Sequence, residues 1–150
     1  MIQIRKITRS DGPHWADMRH ALWPQSTQEE HLQEIHDLIG QNDWGLFLAE
    51  ENGSPLGFIE VSLRPYANGC DTSPVAFVEG IWVAENWRHK GVGRQLIQAA
   101  EKWAESRGLA ELGSDTEITN TLSQTAHRGW GFEETERVVY FRKKLRVSAE

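Results

Sequence analysis

The sequence predicts an α+β fold. Strand-like and helix-like segments succeed one another in the order βααβββαβαβ. An Asn52-Gly53 pair joins two adjacent strand-like runs, a strong hairpin signal. A long apolar strand then leads through a glycine turn into an amphipathic helix. With 150 residues, 39% hydrophobic and 25% charged, the chain is expected to form one domain over residues 1–150 around a single core.

The elements follow in order. Residues 2–7 alternate apolar and polar, as a strand does. Asp11 stands where it can cap a helix beginning near Pro13, a residue suited to a first helical turn. Trp15, Met18, Arg19 and Leu22 have helical spacing, and Trp23-Pro24 ends that helix. Thr27-Gln28-Glu29-Glu30 has the form of a capping box, so a second helix is expected to run to about Ile39, stopped by Gly40. Strands are expected over 46–50 and 56–63, either side of the hairpin turn. Pro65, Asn68, Gly69 and Asp71 make 64–74 a loop. Residues 75–83 are mostly apolar, as a central strand should be. In the helix expected over 91–106, Val92, Leu96, Ala99, Ala100 and Trp103 mark the buried face, and Gly108 ends it. A short strand over 109–113, a short helix over 121–128 and a final strand over 138–145 complete the order, with 146–150 as a frayed tail.

Composition removes several functions. No apolar run is long enough for a transmembrane helix, and Met1-Ile2-Gln3-Ile4-Arg5-Lys6 lacks a signal-peptide core, so a cytoplasmic protein is expected. Cys70 is the one cysteine, which leaves no intrachain disulfide and no cysteine metal cluster. His31 and His36 are five apart, which is not the spacing that puts two ligands on one helix face, and no metal is expected. The net charge of −6 disfavours nucleic acid and is compatible with a cationic partner, although it equally serves solubility. Seven tryptophans exceed what a chain of this length commonly carries, and aromatic walls line ligand clefts as well as cores.

The stretch Trp87-Arg88-His89-Lys90-Gly91-Val92-Gly93 opens the long helix. A helix N-terminus carries unpaired N–H groups and partial positive charge, and glycines let a phosphate approach the backbone. Arg88, His89, Lys90 and Arg94 add positive character, so the turn suits a pyrophosphate. A glycine turn before a helix is by itself also a packing device. The spacing is neither that of a P-loop nor that of a Rossmann turn, since Leu96 stands where the third glycine would be.

Arg88-x-x-Gly91-x-Gly93 resembles the Arg/Gln-x-x-Gly-x-Gly/Ala signature of the GCN5-related N-acetyltransferase (GNAT) superfamily. The element order is similar to that family's across essentially the whole chain. Trp23-Pro24, Asn68-Gly69-Cys70-Asp71, Phe77-Val78-Glu79-Gly80-Ile81, Ser114-Asp115-Thr116 and Gly131-Phe132-Glu133-Glu134-Thr135-Glu136-Arg137 resemble its aminoglycoside 6'-N-acetyltransferase branch. The resemblance implies a mixed, mostly antiparallel sheet with a splayed central strand and helices on both faces. It implies direct acetyl transfer from acetyl-CoA to an aminoglycoside amine, without a metal, in a homodimer. It assigns backbone contacts with the pantetheine arm and acetyl group to Ile81, Trp82 and Val83. The pyrophosphate falls to Arg88, His89, Lys90, Gly91, Val92, Gly93 and Arg94, and a contact near the reactive end to Asn120.

Such chemistry needs a neutral amine, so a carboxylate must first attract the ammonium and then take its proton, directly or through water. Glu79 and Asp115 are the candidate catalytic residues, with Glu79 as base through a water and Asp115 binding the ammonium and sharing the base role. Asp115 also fits a turn or cap aspartate, and Glu79, amid apolar residues, needs either an open face or a function. Trp23 and Tyr66 are candidate walls for the sugar rings, and Glu136 a candidate partner for a distant amine. His127 stands where many members of the superfamily have a tyrosine acid. Acetylation of a polyamine or a peptide N-terminus, and non-catalytic binding of acetyl-CoA, are the alternatives.

Overall fold

The computed structural model describes residues 1–147. Its elements are β1 (Ile2–Lys6), α1 (Gly12–Leu22), α2 (Gln28–Leu38), β2 (Trp44–Glu51), β3 (Ser54–Arg64), β4 (Val75–Val83), α3 (Val92–Ser106), β5 (Leu112–Gly113) and α4 (Thr121–Gly129). The strands form one sheet in the order β1-β2-β3-β4-β5. Neighbours are antiparallel except β4 and β5, which run parallel. The mixed, mostly antiparallel sheet is therefore present.

Alternation along β3 divides the core between two faces. Phe58 joins Trp15, Ala16, Met18, Ile35 and Leu48 under α1 and α2. Ile59 and Val61 face the other way and pack with Leu96, Ile97 and Ala100 of α3. Helices thus cover both faces.

Local signals set most of the boundaries. The capping box of α2 is formed: Glu30 N–H donates to Thr27 Oγ1 at 3.1 Å, and Thr27 N–H donates to Glu30 Oε1 at 2.9 Å. Asp11 occupies the N-cap position of α1 without a side-chain capping bond. Its carboxylate instead accepts two bonds from Arg5 of β1, each 2.8 Å, and one from Thr8 N–H at 2.7 Å. A forked guanidinium outcompetes a helix amide for a carboxylate, so the capping expectation is corrected: Asp11 ties β1 to the start of α1.

The final strand expected over 138–145 is absent. Residues 133–147 carry no ladder, and Val139, Tyr140 and Phe141 are 76%, 77% and 92% exposed. A strand needs a partner edge, and β5 offers two paired residues. Of the tail expected over 146–150, residues 148–150 lie outside the described residues.

Arg5 holds Asp11 down at about 2, below the ordinary value of 3.8. A depressed carboxyl stabilises the fold fully above its unfolded value, and the gain is lost as pH falls through the folded value. Asp11→Ala should cost about 2 kcal/mol at pH 7. Urea unfolding of both proteins should show that gap narrowing between pH 4 and pH 2.

Candidate active site

β4 and β5 pair only at Ala76–Leu112 and Phe77–Gly113. Beyond these positions the strands part. β4 from Val78 to Val83 stays paired with β3 on one side, while its other edge has no strand neighbour among the described residues. The backbone of Ile81, Trp82 and Val83 lies along this open edge. An extended amide chain can pair there as an added strand would.

The wide end of the gap leads to the N-terminus of α3. Gly91 is its N-cap, with φ 85°, a left-handed conformation that glycine adopts without steric cost. Gln95 is the first α3 residue whose N–H meets a carbonyl outside the helix, Gly91 O at 3.1 Å. The amides of Val92, Gly93 and Arg94 have no backbone acceptor among the described residues. These groups form an anion cradle that fits a pyrophosphate. Gly93 is required for a different reason than phosphate approach, because a Cβ there would lie 2.7 Å from Trp130 Cζ2. The basic side chains are partly engaged elsewhere. Arg88 Nε donates to Val83 O at 2.9 Å, Arg94 donates to Gly129 O at the end of α4, and Lys90 Nζ lies 5.1 Å from the Trp87 ring centre. His89 is exposed, with φ 61°.

A bulge aims Glu79. Glu60 pairs with Gly80 and Val61 with Val78, so Glu79 is the extra residue between them. Its carboxylate faces the same side as Ser62 and Arg64. It accepts from Ser62 Oγ at 2.5 Å and from Arg64 Nε and Nη2 at 2.7 Å each. Three of a carboxylate's roughly four acceptor sites are thereby filled, leaving one for a substrate or water. Glu79 raises Arg64 above the ordinary guanidinium value, and Asp115 adds to that rise, so both carboxylates act on this arginine. Asp115 itself is exposed, just past the end of β5.

Trp23 lies over Gly80, where a Cβ would come 2.4 Å from Trp23 Cη2. The Arg19 guanidinium lies 5.0 Å from the Trp23 ring centre, and His31 Nε2 donates to Trp23 O at 3.0 Å. Arg19 is buried between two acids, with Nη2 2.7 Å from Glu34 and Nε 3.2 Å from Glu60. The latter is an ion pair without hydrogen-bond alignment, since Arg19 Nε and Nη1 have no hydrogen-bond partner. Trp15 Nε1 donates to Glu60 at 2.9 Å. Burial pushes the Glu60 carboxyl up to about 7, with Arg19 and then Trp15 pulling it down. A cleft of about 510 Å³ opens here, bordered by Trp23, Glu34, Asp37, Glu60 and Glu79, with Arg19 as the one arginine or lysine on its wall.

The structure thus brings Trp23 and Glu79 together. It leaves Tyr66 exposed on its loop at 73% and Glu136 exposed in the terminal arm. The arm passes the Tyr66 loop, since a Cβ on Gly69 would meet Thr135 Oγ1 at 2.4 Å. Asn120 caps α4 by accepting from Ser123 N–H at 3.0 Å. Arg64, Ser62, Arg19 and Glu60 were given no site role by the sequence reading. Glu60 carried a signal, because it sits among Phe58, Ile59 and Val61 much as Glu79 sits among apolar residues.

An open strand edge leading to a glycine-capped helix N-terminus, within this sheet order, defines an acyl-CoA-type transferase site. Residues 14–132 match the model of the Acetyltransferase (GNAT) family, and the chain belongs to that family. It is similar to Aminoglycoside N(6')-acetyltransferase type 1 of Salmonella typhimurium, 41% identical over 95% of this chain and 99% of that one. The enzyme of the same name from Stenotrophomonas maltophilia is 43% identical over 97% and 95%. Among solved structures, AAC(6')-Iy in complex with the bisubstrate analog CoA-S-monomethyl-acetylneamine superimposes with TM-score 0.92, at 40% identity over 97% of this chain and 99% of that one. AAC(6')-Ih from Acinetobacter baumannii also gives 0.92, at 39% identity over 97% and 99%.

Gly80→Ala should force Trp23 off β4 and cost about 1–3 kcal/mol. Urea unfolding gives the loss, and near-ultraviolet circular dichroism should change because the Trp23 ring leaves its place over Gly80.

Proposed function

We propose that this chain is an acetyl-CoA-dependent aminoglycoside 6'-N-acetyltransferase, acting as one catalytic domain over residues 1–150 and conferring resistance to those antibiotics. The observation that carries the acceptor is the acidic cleft beside Trp23, with Glu34, Asp37 and Glu79 on its walls. Several carboxylates spread over a wide cleft suit a polycationic sugar better than a peptide N-terminus. The relatives at about 40% identity bear that activity in their names, and one was solved with a CoA–acetylneamine analog.

Acetyl-CoA, when bound, supplies an acetyl group activated as a thioester. The free amides of Val92, Gly93 and Arg94 hold its pyrophosphate, helped by Arg88, His89 and Lys90 around Gly91. The open backbone of Ile81, Trp82 and Val83 holds the arm, and Asn120 borders its reactive end. Asp115, exposed and close to the Arg64–Glu79 pair, binds the substrate ammonium. Glu79 keeps one acceptor site for the water that carries the proton away. The clamp from Arg64 and Ser62 fixes its direction. Trp23 forms one wall for the sugars, and Tyr66 and Glu136 reach the more distant rings.

The protein acts as a homodimer in the cytoplasm. Val139, Tyr140 and Phe141 need cover, and a second copy of the chain provides it. No described helix is long and apolar enough to cross a membrane. The net charge of −6 argues against a nucleic-acid partner.

A thiol-release assay with acetyl-CoA against kanamycin-like sugars, polyamines and peptides should give turnover with the sugars; none with any aminoglycoside would sink this reading. Asp115→Ala and Glu79→Ala should each lower kcat/KM for the sugar by about 10²-fold. If both variants kept wild-type efficiency, the amine pocket would be misassigned. In analytical ultracentrifugation, a Tyr140→Ser, Phe141→Ser protein should sediment as a smaller species than the unaltered dimer.

A further inference from the structure

Ser114 is the first residue past the last β4–β5 pair, at the closed end of the gap. Its Oγ lies 2.7 Å from His127 Nε2 on α4. The other ring nitrogen, Nδ1, lies 2.7 Å from the Ser123 carbonyl oxygen and 3.3 Å from Ser123 Oγ. A carbonyl only accepts, so Nδ1 carries a proton whatever the charge of the ring. In the neutral ring Nε2 is then a bare acceptor, and the Ser114 hydroxyl donates to it. In the imidazolium Nε2 donates to Ser114, whose own proton turns outward into the gap. Trp130 and Phe132 pack beside the ring, with centroids 5.3 Å and 5.1 Å away, and hold it in place. A hydroxyl bonded to an imidazole whose far nitrogen is pinned is an arrangement for moving one proton.

We propose that Ser114 is the catalytic acid that protonates the departing coenzyme A sulfur, with His127 as the positioning residue that recharges it. This rests on the acetyl-transfer reading given above. The acceptor amine forms the new C–N bond as the C–S bond breaks. The electron pair left on sulfur takes the Ser114 hydroxyl proton, and Ser114 Oγ takes the Nε2 proton of the His127 imidazolium. No alkoxide forms, and the neutral ring left behind is the tautomer that the Ser123 carbonyl holds. The ring regains its proton from solvent. Meanwhile the substrate nitrogen loses two protons to the carboxylates and water, so the overall reaction releases one.

Two measurements test this. In ¹⁵N-histidine-labelled protein at pH 8, long-range ¹H–¹⁵N spectra should show His127 with Nδ1 protonated and Nε2 as an accepting lone pair. In Ser114→Ala the Nε2 signal should move toward the free-acceptor position. A protonated Nε2 in the neutral ring, or a signal indifferent to Ser114→Ala, overturns the proposal. In steady-state kinetics, Ser114→Ala and His127→Gln should each lower kcat by about 10²-fold with both KM values unchanged. The double variant should fall no further than the worse single one, because the two residues act as a unit. Ser114→Thr, which keeps the hydroxyl, should recover most of the loss. Wild-type kcat in Ser114→Ala, or losses that multiply in the double variant, overturns the relay. Absence of turnover with aminoglycosides in the unaltered protein strikes the acceptor assignment alone, since the spectra decide the Ser114–His127 bond without any acceptor.

Discussion

The parting of β4 from β5 after two paired residues governs everything that the site can do. A sheet normally satisfies its backbone groups across neighbouring strands, and an unpaired edge inside a fold is costly unless something else pairs with it. Here the open edge of β4 faces a gap whose wide end meets the amides at the start of α3. A ligand with an extended amide arm and an anionic head matches both needs. The gap also explains why Ser114 and Asp115 stand at its narrow end, because β5 stops pairing at Gly113.

The second constraint is the bulge at Glu79. One extra residue in β4 sets Glu79 and Gly80 on the same face, so the carboxylate lies beside Ser62 and Arg64 while Trp23 covers the glycine. The bidentate contact with Arg64 holds that carboxylate fixed in direction. Beneath it, Arg19 and Glu60 form a buried pair that is imperfectly hydrogen-bonded. Such pairs are costly to desolvate and are poor sources of stability. This one lies under the Trp23 ring and against the cleft, so its position serves the substrate wall more than the core.

Much of this was legible beforehand. The hairpin, the capping box of α2, the bounds of β4 and the glycine turn before α3 are local signals, and local signals act through neighbouring residues. Trp23 and Glu79 were singled out as site residues, and they meet at one cleft. Two expectations failed for one physical reason. Asp11 has the chemistry of a cap, but Arg5 approaches from β1 and takes both carboxylate oxygens. Residues 138–145 have strand composition, but no neighbouring edge is there to pair with them. Each outcome depends on a partner distant in sequence.

The sequence by itself determined the order of elements as far as α4, the capping box that starts α2, the glycine turn before α3, the acidic charge and the family resemblance, because periodicity, turn residues and motif spacing are written along the chain. Only the tertiary structure decided that Glu79 is bulged and clamped by Arg64, that Arg19 and Glu60 are buried beneath Trp23, and that Ser114 meets His127. Each of these contacts joins residues brought together by strand register or helix packing, and neither register nor packing is a property of a short stretch of sequence.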